Sequence, residues 1–265
     1  MTLLASDCHL FDAGCGFPAP GLNVFEFEPL FTIAGFGVTK PMLLSLLCAA
    51  LVVGFFAAAF ARPKLVPRGI QNVGELGYLF VRDNIARETM GRRGDRFVPF
   101  LVSMFFFLWT MNLMSIVPLA QFPVTSRIAY PAVIVGIVWV TYVVVGIRAQ
   151  GGWGYLRNIM FPPGLPSWVY VLVAPLEFVH VFVTQPFTLA VRLFANMFAG
   201  HMLLVTFSVA SWYLLSPTVG ALFSATSFVV VVLLVAFELF IQALQAYIFT
   251  LLAASYLASS LDGGH

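Results

Sequence analysis

Charge is what this sequence has least of. Only 9% of its 265 residues are Asp, Glu, Lys or Arg and 61% are hydrophobic, whereas a soluble domain carries roughly 25% charged residues. That deficit excludes a water-facing surface and makes the chain an integral membrane protein. Cysteine is almost missing as well: Cys8, Cys15 and Cys48 are the whole supply, too few and too irregular for a disulfide scaffold or a metal site, so neither metal nor cofactor is expected. Cys8 and Cys15 are read as free thiols, with a mutual disulfide as the alternative if their segment faces an oxidising compartment. The first thirty residues contain Asp7, Asp12, Glu26 and Glu28 and lack the basic start and apolar core of a secretory signal. Basic residues interleaved with aromatics are also lacking, which excludes a nucleic-acid surface.

What is present is a series of apolar runs. Residues 1–39 mix Gly, Pro, Phe and acids without a period and read as an irregular leader outside the cytoplasm; residues 40–265 form one membrane domain. A first span runs from Pro41 to Ala61, a second from Phe97 to Leu119 and a third from Tyr130 to Ile147, each able to cross a bilayer core of about 30 Å. Between the first two, in residues 69–96, Val73, Leu76, Leu79 and Phe80 recur at helical steps among nine charged residues, the pattern of an amphipathic helix lying on the membrane. Residues 148–167, rich in Gly and Pro, read as a loop.

Two longer runs follow, about 168–212 and 219–260. Each would be roughly 60 Å long as one helix, about twice the bilayer core. Neither holds the Gly-Pro or Asn-Gly punctuation a buried hairpin needs, so each is expected to be a single, steeply inclined helix, with Pro175 and Pro186 as kinks in the first. The fold class is therefore all-α and polytopic, with five crossings and one surface helix. Ten of the thirteen Lys and Arg residues lie in 62–96 and 148–157. The positive-inside rule places those segments in the cytoplasm, the amino terminus outside and the carboxyl terminus inside.

Polar residues inside the long runs are ordered. Glu177, His180, Thr184, Thr188, Arg192 and Asn196 follow at steps of three or four, a slowly drifting stripe on one side of a helix. His201 comes out near the opposite face. In the last run Glu238, Gln242 and Gln245 share a face. The two threonines read as packing hydroxyls that bond the preceding turn; His180 is as readily an interfacial histidine as a path residue; Gln242 or Gln245 can serve as interhelical glue; Arg192 and Glu238 could form a buried ion pair. With the orientation above, Asn112, His201 and Glu238 form an outward cluster and Glu177 with His180 an inward one, and Arg192 lies between. An arginine at a helix centre costs about 2.5–3.5 kcal/mol and needs a partner. Its guanidinium stays protonated, so it carries charge but passes no proton. A carboxylate on a separate, moving protein fits that need. A stand-alone transporter or ion channel, with the arginine binding an anionic substrate, is the alternative, and a membrane scaffold a third.

The runs Ala190-Val-Arg-Leu-Phe-Ala-Asn-Met-Phe-Ala-Gly-His201 and Leu244-Gln-Ala-Tyr-Ile-Phe249 resemble subunit a of the F-type ATP synthase, most closely its actinobacterial members. The resemblance covers the chain from the first span to its end. It implies a bacterial plasma-membrane stator subunit with no catalytic site of its own, conducting protons through two offset half-channels. It implies that Arg192 is the essential charge facing the ring of c subunits, with Asn196 and Gln245 beside it, and a pathway through Asn112, Glu177, His180, Asn196, His201, Glu238, Gln242 and Gln245. The partners implied are the c-ring, b-type peripheral stalk subunits, the rest of the complex and lipid. In many bacterial relatives the position of His201 is acidic and that of Glu238 a histidine; the exchange here points to a pair.

Overall fold

A computed structural model describes residues 17, 19–21, 25, 29–33, 36–117, 120–161, 168–215 and 219–261; Cys8 and Cys15 lie outside them. The described chain is built from helices that run back and forth. Five of them are long and apolar enough to span a membrane: Lys40–Phe60, Ile70–Leu113, Ala129–Gln150, Tyr170–Tyr213 and Gly220–Leu261.

The first helix, α1 (Lys40–Phe60), starts after extended Thr39, with Pro41 in the first turn, where a missing N–H costs nothing. Its Cys48 is buried and unpaired. The amphipathic segment begins as α2 (Ile70–Val81). It crosses α1 closely, since a Cβ on Gly74 would stand 2.8 Å from the Cβ of Ala59. Val73, Leu76, Leu79 and Phe80 remain uncovered, as suits a helix whose apolar face meets lipid. The helical path then continues through a π-helical turn at Arg82–Ala86, the short α3 (Arg87–Met90) and a 3-10 turn at Gly91–Phe97 into α4 (Val98–Leu113). Gly91 takes φ 59°, a left-handed conformation open to glycine, and re-aims the chain between surface helix and span. Asp83 and Asp95 are bound by Arg82 and Arg87 at N–O distances of 2.9–3.4 Å.

Three local expectations differ from what the chain does. Residues within 1–39 are not all irregular: β1 (Phe31–Ile33) and β2 (Phe36–Val38) form an antiparallel hairpin with Ile33 opposite Phe36. The second span stops at Leu113, short of Leu119, because turns at Asn112–Ile116 fold the chain back. The expected loop after residue 148 is largely helical. Gly151, at φ 78°, ends α5 (Ala129–Gln150) and directly opens α6 (Gly152–Met160). The short helix is held by Tyr155, whose ring occupies the space a Cβ on Gly146 would need, and by Asn158 Nδ2 donating to Gln150 Oε1 at 3.2 Å.

The two long runs are single helical paths, as expected. The first comprises α7 (Tyr170–Val179), a π-helical turn at His180–Thr184 and α8 (Gln185–Tyr213). The second is α9 (Val219–Leu261). Pro175 sits inside α7 and Pro186 in the first turn of α8 without ending the path. At its upper end α9 is fastened to α8 by Ser224 Oγ donating to the Ser211 carbonyl at 2.7 Å and Ser227 Oγ to that of Phe207 at 3.0 Å. The apolar core lies where α4, α5, α8 and α9 meet, around Leu101, Leu108, Val138, Leu193, Phe249 and Leu257.

Candidate functional site

The residues singled out by their cost divide between two faces of α8. Leu189, Leu193, Met197 and His201 are buried, while Thr184, Thr188, Arg192 and Asn196 are exposed, as is His180 before them. Glu177 is partly exposed. The polar stripe is therefore an uncovered face of a helix whose other side forms the core. Thr188 Oγ1 donates back to the Thr184 carbonyl at 2.8 Å, the turn-internal bond expected of a packing hydroxyl. Among the described residues the ion pairs are those of Arg82 and Arg87 with Asp83 and Asp95; Arg192 and Glu238 do not form one. Beside the arginine, Asn196 Nδ2 donates to Gln245 Oε1 on α9 at 2.8 Å.

On the other side of α8 a polar cluster is enclosed by α4, α8 and α9. Asn112, Gln242 and Gln245 on these helices are 0–3% exposed, and His201 and Glu238 are 5% and 6% exposed. Thr125 Oγ1 donates to Asn112 Oδ1 at 2.7 Å and Gln242 Nε2 to Ser115 Oγ at 2.6 Å. Gln242 thus bridges α9 to the chain after α4 and Gln245 bridges α9 to α8, so both glutamines join helices. Glu238 lies beside Ser115 and Gln242, which face its carboxylate without a hydrogen bond of standard geometry. Asn112 Nδ2, His201 Nδ1, Gln242 Oε1 and Gln245 Nε2 are likewise buried and unsatisfied. Their concentration in one place makes a polar pocket that offers a buried water the two to four partners it needs.

Two features shape this pocket. Gly200 faces Glu238: a Cβ there would stand 3.7 Å from Glu238 Oε1. The imidazole of His201 is flanked edge-on by Phe25 and Phe122, at ring distances of 5.7 and 6.1 Å. Phe25 is in turn fixed by Arg127, whose Nε and Nη2 donate to its carbonyl at 3.0 and 2.8 Å.

Asn112, His201 and Glu238 are therefore brought together, with Gln242 and Gln245 extending the same polar seam along α9. Glu177 and His180 are not part of it; they lie a few turns away on the uncovered face. Sequence reasoning missed Ser115, Thr125, Phe25, Phe122 and Gly200. Ser115, one turn beyond Asn112, carried a weak signal in its spacing, and the others are ordinary residues placed by the fold.

A profile of the ATP synthase A chain family matches residues 42–258. The chain belongs to that family. The ATP synthase subunit a of Streptomyces lividans is 50% identical over 263 residues, which cover 98% of this chain and 93% of the relative. The subunit of Frankia alni is 41% identical over 94% of this chain and 88% of its own. That of a Nocardioides species is 37% identical over the full length of both. The matched segment takes in the run from Ala190 to His201 and nearly all of the five spans, so the polar seam lies within it.

Proposed function

We infer that this chain is the proton-conducting stator subunit of the membrane sector of an F-type ATP synthase, coupling proton flow to ring rotation and contributing no catalytic site. The observation that carries the reading is an uncovered Arg192, with no ion pair among the described residues, on one face of α8 and a buried polar pocket on the other. A permanent cation at that depth requires an anion, and the uncovered face supplies the place where a carboxylate of a c-subunit ring would meet it. Protons enter from outside through Asn112, His201 and Glu238, load a ring carboxylate, travel with the ring and leave past Glu177 and His180. Histidine and carboxylates can hold and pass a proton; arginine holds its own, so Arg192 separates the two routes and displaces the proton from each arriving carboxylate. Asn196 and Gln245, bonded to one another beside it, fix the helix spacing there. Each charge crossing carries about 2.3 kcal/mol per 100 mV.

The ten Lys and Arg residues in 62–96 and 148–157 support an amino terminus outside and a carboxyl terminus in the cytoplasm, in a bacterial plasma membrane. Residues 1–39 are the outer leader, and b-type stalk subunits and lipid complete the surroundings. The test is Arg192→Ala in the assembled complex, measured as ATP-driven proton pumping by membrane vesicles. Pumping is expected to be lost while ATP hydrolysis persists; retained pumping refutes the reading. Liposomes holding this chain alone should show no proton flux, whereas a stand-alone transporter would conduct.

A further inference from the structure

The π-helical turn at His180–Thr184 changes which donors can reach its carbonyls. Within the turn the N–H of Gln185 bonds the carbonyl of His180, five residues back, so it is not available to Val181. The next candidate in a π-helical pattern is residue 186, which is proline and has no N–H. A carbonyl left without a donor at membrane depth is costly. Here it has one from outside: Tyr142 Oη on α5 donates to the Val181 carbonyl at 2.9 Å. Tyr142 is itself buried, so its hydroxyl is committed to that bond.

The turn matters for where side chains point. His180 lies twelve residues before Arg192, and an uninterrupted α-helix would set it about 120° around the axis from the arginine. A π-helical turn takes up one extra residue, an arc of about 100°, and brings His180 back to within about 20° of Arg192. The exposures agree: His180, Thr184, Thr188 and Arg192 are all uncovered. Across the turn Val181 packs on the core and the ring of Phe182 lies 6.1 Å from that of Trp139.

We propose that Tyr142 is a positioning residue: by taking the Val181 carbonyl, whose π-helical donor position is Pro186, it holds the π-helical turn that aligns His180 with Arg192. The proposal rests on the stator reading, since it gives the alignment its purpose.

The test is a double-substitution cycle in the assembled complex, Tyr142→Phe and Pro186→Ala separately and together, read as protons pumped per ATP hydrolysed. An alanine at 186 restores the N–H that a π-helical pattern directs to Val181, and if the turn becomes α-helical the N–H of Gln185 reaches Val181 instead. Y142F alone should lower the ratio by about two- to tenfold, the range of one hydrogen bond. In the P186A background it should have little further effect. Equal loss from Y142F in both backgrounds, or none in either, overturns the proposal. If Y142F alone fails to assemble, the double variant should assemble; failure of both also overturns it. Thiol labelling of H180C, in a background with the native cysteines replaced, should slow severalfold on Y142F, while T188C, beyond the turn, stays unchanged. A general loosening would move both and refute the positioning role. R192A serves as the control: if it pumps, the stator reading fails whatever Tyr142 does, and if it does not, absence of the Tyr142–Pro186 coupling sinks only this proposal.

Discussion

Substituting Gly200 by residues of increasing size tests whether the Glu238 carboxylate must stay where the structure has it. A Cβ at this position would meet Glu238 Oε1, Cδ and Cγ at 3.7, 3.8 and 3.9 Å, ordinary van der Waals contact, so alanine fits without displacement. Alanine also removes the conformational cost of glycine within α8, a gain of about 0.5–1 kcal/mol. Valine is different. Its methyls extend about 1.5 Å beyond Cβ and it has one strongly preferred rotamer in a helix, so it cannot turn both methyls away from the carboxylate. Overpacking of this kind costs about 1–3 kcal/mol, which, if taken up by displacing Glu238 from its functional position, corresponds to about a 5- to 150-fold loss of rate. The assay is ATP-driven acidification of inverted vesicles, normalised to ATP hydrolysis by the same vesicles, with the amount of assembled subunit measured separately. Gly200→Ala should match the unsubstituted protein and resist heat at least as well; Gly200→Val should assemble and pump poorly. If alanine is as damaging as valine, or valine pumps at full rate, Gly200 is not there to make room for Glu238.

Two further outcomes follow from the buried pocket. Exchanging its ionisable pair, His201→Glu together with Glu238→His, should recover part of the pumping that either single change removes; strictly additive loss would show that the two do not act together. Replacing Glu238 by glutamine keeps the side chain's size and removes its ionisable proton, so the complex should assemble while ATP-driven pumping is lost; full-rate pumping by E238Q would mean that the carboxylate passes no proton.

The sequence is a good guide to this fold where a single physical constraint dominates. The bilayer sets the length of α1 and α5, and the lack of Gly-Pro or Asn-Gly pairs between 170 and 213 favours one helical path over a hairpin there. It is a poor guide where structure depends on contacts between elements. Gly151 and Gly152 look like loop residues, yet α6 exists because Tyr155 fits over Gly146 and Asn158 reaches Gln150. The strands Phe31–Ile33 and Phe36–Val38 have three residues each, too few to establish a period. Counting residues at 3.6 per turn finds the stripe from Glu177 to Asn196 but has no means of seeing that one turn is π-helical, so it leaves His180 drifting away from Arg192.

The candidate site divides along the same line. Arg192, Glu238, His201 and Asn112 were visible because each is expensive in an apolar run, and expense can be read from residue type alone. Ser115, Thr125, Phe122 and Phe25 were not, since a serine, a threonine or a phenylalanine is unremarked in such a sequence until the fold sets it against a costly one. The expense also persists in the folded chain. Among the described residues Arg192 gains no ion pair, and Asn112, His201, Glu238, Gln242 and Gln245 each keep a polar atom with no partner among them, whereas most buried polar groups in proteins find partners. A chain able to give Thr125 to Asn112 and Ser115 to Gln242 has polar side chains to spend. Leaving the remaining atoms open on two faces of one helix is what would be expected if their partners arrive from elsewhere: water and protons in the pocket, and a carboxylate on the uncovered side.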